Sequence, residues 1–474
     1  MTRLAMPWTQ DQRLYSSRGR LVLKLPLGEM PDWIPTARDV QTGALPPATR
    51  LDHSSIDRVL KHFGGVRATR VHGAAASRHQ FGSRHHNYTD LEHVCGLSRT
   101  LRIDLGRDAA VSDAIDALRQ LSDVERVSAH YLTMQPFAAP ATDVDVDEAW
   151  HAHDMVNASD ALAYEPGDAA VIIAIVDTGI SLSHRELEGR LRAGFDTVQL
   201  GEHDVAAGVT LVGDEKDEDP DPDDEVGHGT ACAGIIGARG DEIPPGLAGD
   251  CSVLPMRVLG AARMPGKDAP VGIGALTDID DGVKRAIDLG AKVLNMSFGT
   301  AVDDLDPHDP WPHADVVRYG LARGCVMVAA SGNSGREAKY LPACIDGVIA
   351  VGAVGEDGHP SPFTTTGDHV TLSAPGERVK SAGLSGYQRV TGTSFASPFV
   401  AAAAALLVSR AGRRSAPLGG RDALRILRDS ARPFPGASMK GHGTGILDVV
   451  AALRMLDREI DAGRRRKADP SLRS

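Results

Sequence analysis

A serine, a histidine, an aspartate and an asparagine lie in glycine-rich settings along this chain, in an arrangement that could support nucleophilic chemistry. Asp177 ends the apolar run VIIAIV, His228 lies in GHGTACAG, and Ser394 lies in TGTSFASPF. A serine becomes a nucleophile when an imidazole takes its proton and a buried carboxylate fixes the tautomer of that imidazole. Asn333, in SGNSG, could donate its amide to the oxyanion that such an attack creates.

Each of these four residues also has an ordinary structural explanation. Ser394 could simply cap the helix that FVAAAAALLV predicts, because serine is a favoured N-cap. Asp177 and Asn333 could be turn residues, and His228 could lie in the first turn of a helix. The hypothesis of a catalytic site therefore depends on the combination of the four and on the elements that carry them.

Those elements follow a repeating pattern after about residue 165. Apolar runs such as VIIAIV, VLPMRVL, VLNMS, VMVAAS and VIAVGAV alternate with helical patterns such as TDIDDGVKRAIDLG. Continuous apolar strands joined by helices predict an α/β fold, a doubly wound and mainly parallel sheet with helices on both faces. Asp177, Ser297 and Asn333 follow three of these runs closely, where the carboxyl edge of such a sheet gathers functional groups.

The remaining chain divides by composition into further segments. Residues 1–95 are rich in Pro, Gly and Ser, which predicts an irregular N-terminal extension. Residues 96–140 contain TLRIDL, VSDAIDALRQLSD and VERVSAHYL, which predict a small strand-helix-strand unit. A Pro/Ala/Asp-rich stretch then predicts a boundary before a domain of residues 145–456, and residues 457–474 predict a basic flexible tail.

Composition argues against several classes of protein. A net charge of −12 over 474 residues disfavours a nucleic-acid binder, because phosphate neutralisation needs basic surface. The apolar runs are too short to span a bilayer, and the first residues contain no apolar segment of the signal-peptide kind. The five cysteines lack paired spacing, which favours buried thiols in a reducing compartment. We therefore expect a cytoplasmic protein that binds neither nucleic acid nor membranes.

Residues 165 to about 455 resemble the subtilisin-like serine proteases, the subtilase family (peptidase S8). The matching stretches are, in order, VIIAIVDTGI, GHGTACAG, LPMRVL, NMSFG, VAASGN, LPACIDGVIAVGAV, TLSAPG and GTSFASPFVAAAAALL. The resemblance implies that Asp177 is the orienting acid, His228 the general base and Ser394 the nucleophile. It also implies that the amide of Asn333 and the backbone N–H of Ser394 bind the oxyanion.

The same resemblance implies a substrate cleft lined by Ser297, Phe298 and Gly299, and hydrolysis of peptides or proteins through an acyl-enzyme. Two other functions stay open. One is a dedicated cytoplasmic maturation or regulatory protease of narrow range, which would use the same site. The other is a catalytically silent pseudoprotease that binds peptides.

No cofactor is expected. The loop GDEKDEDPDPDDEVG before His228 is rich in oxygen ligands and could bind calcium, but no defined ligand spacing predicts a metal site. Cys232 lies four residues after His228 and on the same helix face. Its thiol could be reactive because of that position, or it could be buried and inert.

The strand-helix-strand unit resembles the inhibitory propeptide of subtilases by pattern and position. Its last strand leads into TMQPFAAP, an extended segment that could reach a cleft edge and pair by strand addition. The N-terminal segment is therefore expected to be an intramolecular inhibitor of a zymogen, removed by self-cleavage between Tyr131 and Val144. The alternative is an accessory domain without a link to activity.

Overall fold

The computed structural model describes residues 14–65, 67–75, 88–106, 108–135, 150–201, 204–216, 218–267, 269–436 and 439–468. The N-terminal part contains β1 (Leu14–Lys24), α1 (Ala37–Gln41), α2 (Ser54–His62), β2 (Arg67–Arg70), α3 (Asp90–Cys95), β3 (Thr100–Asp104), α4 (Val111–Arg119) and β4 (Arg126–Met134). The first half of the following part contains α5 (His151–Met155), α6 (Ala158–Tyr164), β5 (Ile172–Asp177), β6 (Phe195–Asp196), β7 (Thr210–Val212), α7 (His228–Gly237), β8 (Ser252–Arg257), β9 (Gly260–Arg263), β10 (Val271–Ala275) and α8 (Leu276–Asp288). The second half contains β11 (Val293–Met296), β12 (Thr300–Ala301), α9 (Ala314–Ala322), β13 (Val326–Ala330), β14 (Tyr340–Leu341), β15 (Val348–Val354), β16 (Val370–Pro375), β17 (Val379–Ala382), β18 (Tyr387–Val390), α10 (Thr393–Arg413), α11 (Gly420–Asp429) and α12 (Val449–Ala468).

A seven-stranded parallel sheet, in the order β16-β15-β13-β11-β5-β8-β6, forms the centre of the fold. Alternate residues of β5 point to opposite faces: Ile173 and Ile175 pack in the core that contains α7 and α10. Ala174 and Val176 pack in the core that contains α8 and α9. Helices thus cover both faces, which explains the continuous apolar strands. The expected α/β fold is confirmed.

The N-terminal part forms one folded unit, and the predicted boundary at residue 95 is wrong. Its β3, α4 and β4 are the expected strand-helix-strand elements, but β1 lies between β3 and β4 and pairs antiparallel with both. The strand β2 pairs with β3 on the other side. Residues 1–95, which were expected to be irregular, therefore supply a central and an outer strand of the same sheet.

This N-terminal sheet continues into the following domain. The strand β4 pairs antiparallel with β10, which gives a second seven-stranded sheet in the order β2-β3-β1-β4-β10-β9-β7. Leu21 and Leu101 of the N-terminal unit also belong to the same buried cluster as Ala174 and Ile279 of the following domain. The two units therefore share a sheet and a hydrophobic core.

Charged and polar contacts also join the two units. The Nζ of Lys24 on β1 lies 2.7 Å from the Oδ2 of Asp315 on α9. The hydroxyl of Tyr131 on β4 donates to the Oδ2 of Asp309 at 2.6 Å. Because both acidic partners belong to the larger domain, these contacts fix the orientation of the N-terminal sheet upon it.

Two sequence-based expectations about helices need correction. The run FVAAAAALLV belongs to the 21-residue helix α10, which by length and composition could cross a membrane; 83% of its most apolar window is buried inside the fold. The predicted flexible tail is also wrong up to residue 468, because α12 continues through it. Asp457 in this helix forms ion pairs with Arg410 at 2.7 Å and Arg414 at 2.8 Å.

Candidate active site

Asp177 and His228 are held together where β5 ends and α7 begins. The Oδ1 of Asp177 lies 2.7 Å from the Nδ1 of His228 and also accepts a hydrogen bond from the backbone N–H of Thr178 at 2.7 Å. Asp177 is fully buried. A buried carboxylate is costly unless hydrogen bonds and a cationic partner compensate for its lost hydration. The pair therefore has the geometry in which a carboxylate orients an imidazole.

The start of α7 is built to fit against Asp177. A Cβ on Gly229 would lie 2.1 Å from the carbonyl oxygen of Gly179, so only glycine allows this approach. The hydroxyl of Thr178 accepts from the backbone N–H of Gly229 at 2.9 Å. Asp224 accepts from the backbone N–H of Thr230 at 3.0 Å, which satisfies part of the helix N-terminus.

The charge state of His228 depends on this environment. Burial disfavours the charged imidazolium, but the adjacent Asp177 and the more distant Asp224 favour it. The net effect raises the pKa of His228 above its ordinary value. The histidine is thus a stronger base than a free imidazole.

Ser394 is the second residue of α10, next to the residue of this helix that packs against His228. The ring of Phe395 contacts the His228 ring, with centroids 5.0 Å apart. Among the described residues, the Ser394 hydroxyl donates to the carbonyl of Ser297 at 3.1 Å and makes no hydrogen bond to His228. The Ser297 hydroxyl in turn donates to the carbonyl of Ser394 at 2.7 Å. The serine therefore adjoins a residue that contacts the imidazole, and its hydroxyl is bonded to Ser297, which directly follows β11.

Asn333 lies on the other side of the start of α10. Its Oδ1 accepts from the backbone N–H of Thr393 at 3.0 Å and from the Thr393 hydroxyl at 2.9 Å. These bonds turn the amide nitrogen towards Gly392, the residue before the helix. The carboxamide is consequently oriented so that its N–H group faces the backbone next to Ser394.

The three residues expected to line the cleft differ in exposure. Ser297 is fully buried, and Phe298 is buried against the ring of His313 at a centroid distance of 5.5 Å. Gly299 is partly exposed and lies beside Tyr340. Ser297 thus contributes hydrogen bonds that hold Ser394, and Gly299 is the most exposed of the three.

Gln135 is a further residue of the site, and the sequence analysis missed it. It follows β4, is 3% exposed, and its Nε2 lies 3.0 Å from the Oδ1 of Asp177 and 2.8 Å from the Nδ1 of His228. The only sequence signal for Gln135 was its place directly after a predicted strand that leads towards the edge of the cleft. Thr178 and Thr393 were also missed, because their roles depend on contacts between distant loops, whereas Asp224 belongs to the acidic loop that the sequence already showed.

Cys232 lies one turn along α7 and is fully buried. Its thiol donates to the carbonyl of Ser394 at 3.5 Å. Burial raises the pKa of the Cys232 thiol well above its ordinary value. This environment favours an inert thiol that packs under the site.

The acidic loop before His228 contributes to a cluster of Asp196, Asp214 and Asp219, whose ligand atoms lie within 4.8 Å of one another. Arg257 already forms an ion pair with Asp196, and its Nη2 donates to the Asp214 carbonyl at 2.6 Å and to Glu225 at 2.6 Å. An internal guanidinium thus supplies a positive charge to the Asp196 carboxylate of this cluster and to the neighbouring Glu225.

Comparison with known proteins identifies the group to which this arrangement belongs. The sequence model of the Subtilase family matches residues 168–445, which is more than half of the 474 residues. The thermophilic serine proteinase of Bacillus sp. (strain AK1) is 35% identical over 248 residues, covering 52% of this chain and 53% of that protein. Thermitase of Thermoactinomyces vulgaris is 35% identical over 242 residues, covering 50% of this chain and 75% of thermitase. The chain therefore spans about half the length of the first relative and three quarters of the second.

A solved structure gives the same result. A protease from Pseudoalteromonas arctica aligns with a TM-score of 0.54 and 25% identity, and the alignment covers 67% of this chain and 100% of that chain. The aligned length exceeds that of the family match. On the strength of the family match over residues 168–445, the chain belongs to the subtilase family, as its motifs predicted.

Proposed function

We propose that this protein is a serine endopeptidase that cleaves peptide bonds through an acyl-enzyme. The observation that carries the proposal is the buried contact of 2.7 Å between Asp177 and His228 beside the first turn of α10, which contains Ser394. Asp177, His228 and Ser394 each have an ordinary structural explanation when taken alone. A purely structural role does not require all three residues at one edge of the sheet. Membership of the subtilase family supports the same reaction.

In this reaction Ser394 rotates away from the Ser297 carbonyl, and its proton passes to the Nε2 of His228 while its Oγ attacks the substrate carbonyl carbon. Asp177 holds the Nδ1–H of His228 and stabilises the imidazolium that forms. The oxyanion accepts hydrogen bonds from the Nδ2 of Asn333 and the backbone N–H of Ser394. The C–N bond then breaks, and the leaving amine takes the proton from His228. Water repeats the sequence on the acyl-enzyme and releases the acid product.

An extended polypeptide is the substrate that fits this site. The strand β4 already lies antiparallel to β10, with Met134 opposite Ile273, so this edge can bind a polypeptide by backbone hydrogen bonds. Gly299 offers a second backbone edge near the site. We infer that substrates bind as an added strand between these segments, and that their side chains rather than their backbone decide specificity.

We also propose that the N-terminal unit inhibits the enzyme that carries it. Its last strand occupies the β10 edge, and Gln135 contacts the Asp177–His228 pair, so substrate and the docked unit compete for one place. Residues 131–135 are buried, which disfavours cleavage among them. We therefore expect the self-cleavage predicted between Tyr131 and Val144 to fall after Gln135, in a segment outside the described residues.

The test compares wild type, Ser394→Ala and Ser409→Ala, each as the full chain. Ser409 is buried in the same helix and donates to the Ala405 carbonyl at 2.9 Å, so its variant controls for loss of a serine hydroxyl from α10. Wild type and Ser409→Ala are expected to digest an unfolded protein substrate and to shorten themselves. Ser394→Ala should do neither. Digestion by Ser394→Ala would refute Ser394 as the nucleophile, and an unshortened but active wild type would make the N-terminal unit an accessory domain.

The narrow-range maturation protease and the silent pseudoprotease are separated when the same variants are also given a library of peptides. Wild-type activity on one peptide class alone would indicate the first, and absence of any Ser394-dependent cleavage would indicate the second. A cytoplasmic location is a further proposal, which is tested by fractionating the source cells and locating the protein. Independence from cofactors is likewise proposed, and removal of divalent cations tests it.

A further inference from the structure

Two glycine-containing segments flank the start of α10. The first segment ends at Gly299 and is bonded to Ser394 through Ser297, whose hydroxyl donates to the Ser394 carbonyl at 2.7 Å. The second segment contains Gly332, whose backbone N–H donates to the Thr393 hydroxyl at 3.3 Å. Both segments are therefore tied to the turn that carries the proposed nucleophile.

The ring of Tyr340 fills the space between these two segments. Its Cδ1 lies 3.3 Å from the position that a Cβ on Gly299 would take, and its Cδ2 lies 2.7 Å from the position of a Cβ on Gly332. Opposite edges of one ring thus face the α-carbons of the two glycines. A side chain at either position would press against the ring, and Gly332 also has a φ of +111°, which favours glycine.

The backbone of Tyr340 is fixed relative to the first segment. The strand β14, which contains Tyr340, pairs antiparallel with β12, and Tyr340 lies opposite Ala301. The strand β12 follows Gly299 directly. The carbonyl of Tyr340 accepts a hydrogen bond from the backbone N–H of Cys344 at 2.8 Å. The ring therefore extends from a backbone that is held at a set distance from Gly299.

The position of this ring bears on the substrate residue that forms the acyl-enzyme. In the proposed reaction, the carbonyl carbon of that residue bonds to the Oγ of Ser394, and its oxygen faces Asn333, which directly follows Gly332. The substrate side chain branches from the next carbon atom. That geometry directs the side chain between the segments of Gly299 and Gly332, into the space that Tyr340 occupies. Because packed protein interiors are hardly compressible, a large side chain would have to displace the ring.

We propose that Tyr340 is a specificity-determining residue that restricts cleavage to peptide bonds that follow a small side chain, such as that of alanine or glycine. This inference rests on the proposed function, because it concerns the residue that forms the same acyl-enzyme. The substrate class is then an extended polypeptide with a small residue on the acyl side of the cut. Residues 136–144, where self-cleavage is proposed, lie outside the described residues, and their sequence PFAAPATDV offers three alanines.

The experiment digests a peptide library in which Ala and Phe are equally frequent, and mass spectrometry identifies the residue before each cut. Each variant is used as the full chain, and the ratio of cuts after Phe to cuts after Ala does not depend on the amount of active enzyme. Wild type should cut after Ala at least about tenfold more often, because one methylene in an apolar pocket already changes selectivity by about 10–200-fold. Tyr340→Ala should raise the Phe-to-Ala ratio by at least about tenfold for the same reason.

Three further variants make the result specific to the ring of Tyr340. Tyr340→Phe keeps the ring and should keep the wild-type ratio. Tyr340→Val leaves a smaller hole than Tyr340→Ala, so it should also raise the ratio, and it serves if Tyr340→Ala does not fold. Phe434→Ala is the matched control, because Phe434 is 8% exposed, as is Tyr340, but packs with Val354 and Ile446. Its ratio should equal that of wild type.

Several outcomes would overturn the proposal. Equal cleavage after Phe and Ala by wild type is one, and self-cleavage of wild type after Phe137 is another. An unchanged ratio in both Tyr340→Ala and Tyr340→Val, or an equal rise in Phe434→Ala, would overturn it as well. Absence of any Ser394-dependent cleavage of the library by every variant would instead refute the proposed function, and this inference with it.

Discussion

Lys284 on α8 and Glu92 on α3 form a buried ion pair with a distance of 2.7 Å between Nζ and Oε1, and this pair crosses from the larger domain to the N-terminal unit. The two side chains are 2% and 0% exposed. Asp288 also contacts Lys284 at 2.6 Å, so the ammonium has two anionic partners. The docking of the N-terminal unit therefore buries the carboxylate of Glu92 against a cation that the larger domain supplies.

The substitution Lys284→Met should weaken this docking strongly. It leaves Glu92 buried without its cation, a change that typically costs about 3–5 kcal/mol. The free energy of unfolding is measured by denaturant titration in the Ser394→Ala background, which prevents self-cleavage. Lys61→Met, at an exposed position of α2, is the control and should change stability by less than about 0.5 kcal/mol. Equal stability of the two variants would show that the pair contributes nothing to docking.

The substitution Asp177→Asn should lower turnover by about 10⁴ while the protein stays folded, because an amide cannot hold the imidazole in the reactive tautomer. Turnover is measured on a peptide substrate after removal of the N-terminal unit. Folding is checked by the melting temperature. A loss of less than tenfold would exclude Asp177 as the orienting acid.

Activity should rise with pH through the titration of His228, because only the neutral imidazole accepts the proton of Ser394. Since the pKa of His228 is raised, the midpoint should lie above the ordinary value of 6.5. Asp224 favours the charged imidazole, so Asp224→Asn should lower the midpoint. The pH profile of kcat/KM gives both values.

Asp221→Asn is the matched control for this effect, because Asp221 is exposed in the same loop. Its midpoint should equal that of wild type. An unchanged midpoint in Asp224→Asn, or equal shifts in both variants, would show that Asp224 does not act on His228 specifically.

Removal of divalent cations should leave the melting temperature and the activity unchanged. Arg257 already compensates the charge of Asp196 beside Asp214 and Asp219, so a calcium ion would have to compete with a tethered guanidinium. The measurement is thermal unfolding with and without a chelator. A melting temperature that rises with added calcium would contradict this account of the acidic loop.

The elements nearest the site were predictable because their signals are local. The run VIIAIV, for example, is apolar throughout because β5 is covered on both faces, and Asp177 follows it directly. Asn333 and Ser394 likewise lie in short glycine-containing stretches that are recognisable without knowledge of distant contacts. These signals sufficed to predict the α/β fold and the candidate triad.

The missed features depend on pairing between distant segments. The strand β1 contains SSRGR, which interrupts its apolar pattern, and it is stabilised by β3 and β4 more than 70 residues away. The basic residues at the end of α12 obscure its helical pattern in the sequence. The ion pair between Asp457 and Arg410 joins this helix to α10. Gln135 gains its role only because β4 pairs with β10. No local pattern contains this information.

The most direct test of the central claim is to identify the residue that a fluorophosphonate modifies. After removal of the N-terminal unit, the labelled protein is digested and the adduct is located by mass spectrometry. The account predicts one adduct, on Ser394, which is absent from Ser394→Ala and strongly reduced in Asp177→Asn. An adduct on another residue, or labelling that persists in Ser394→Ala, would contradict the assignment of Ser394 as the nucleophile.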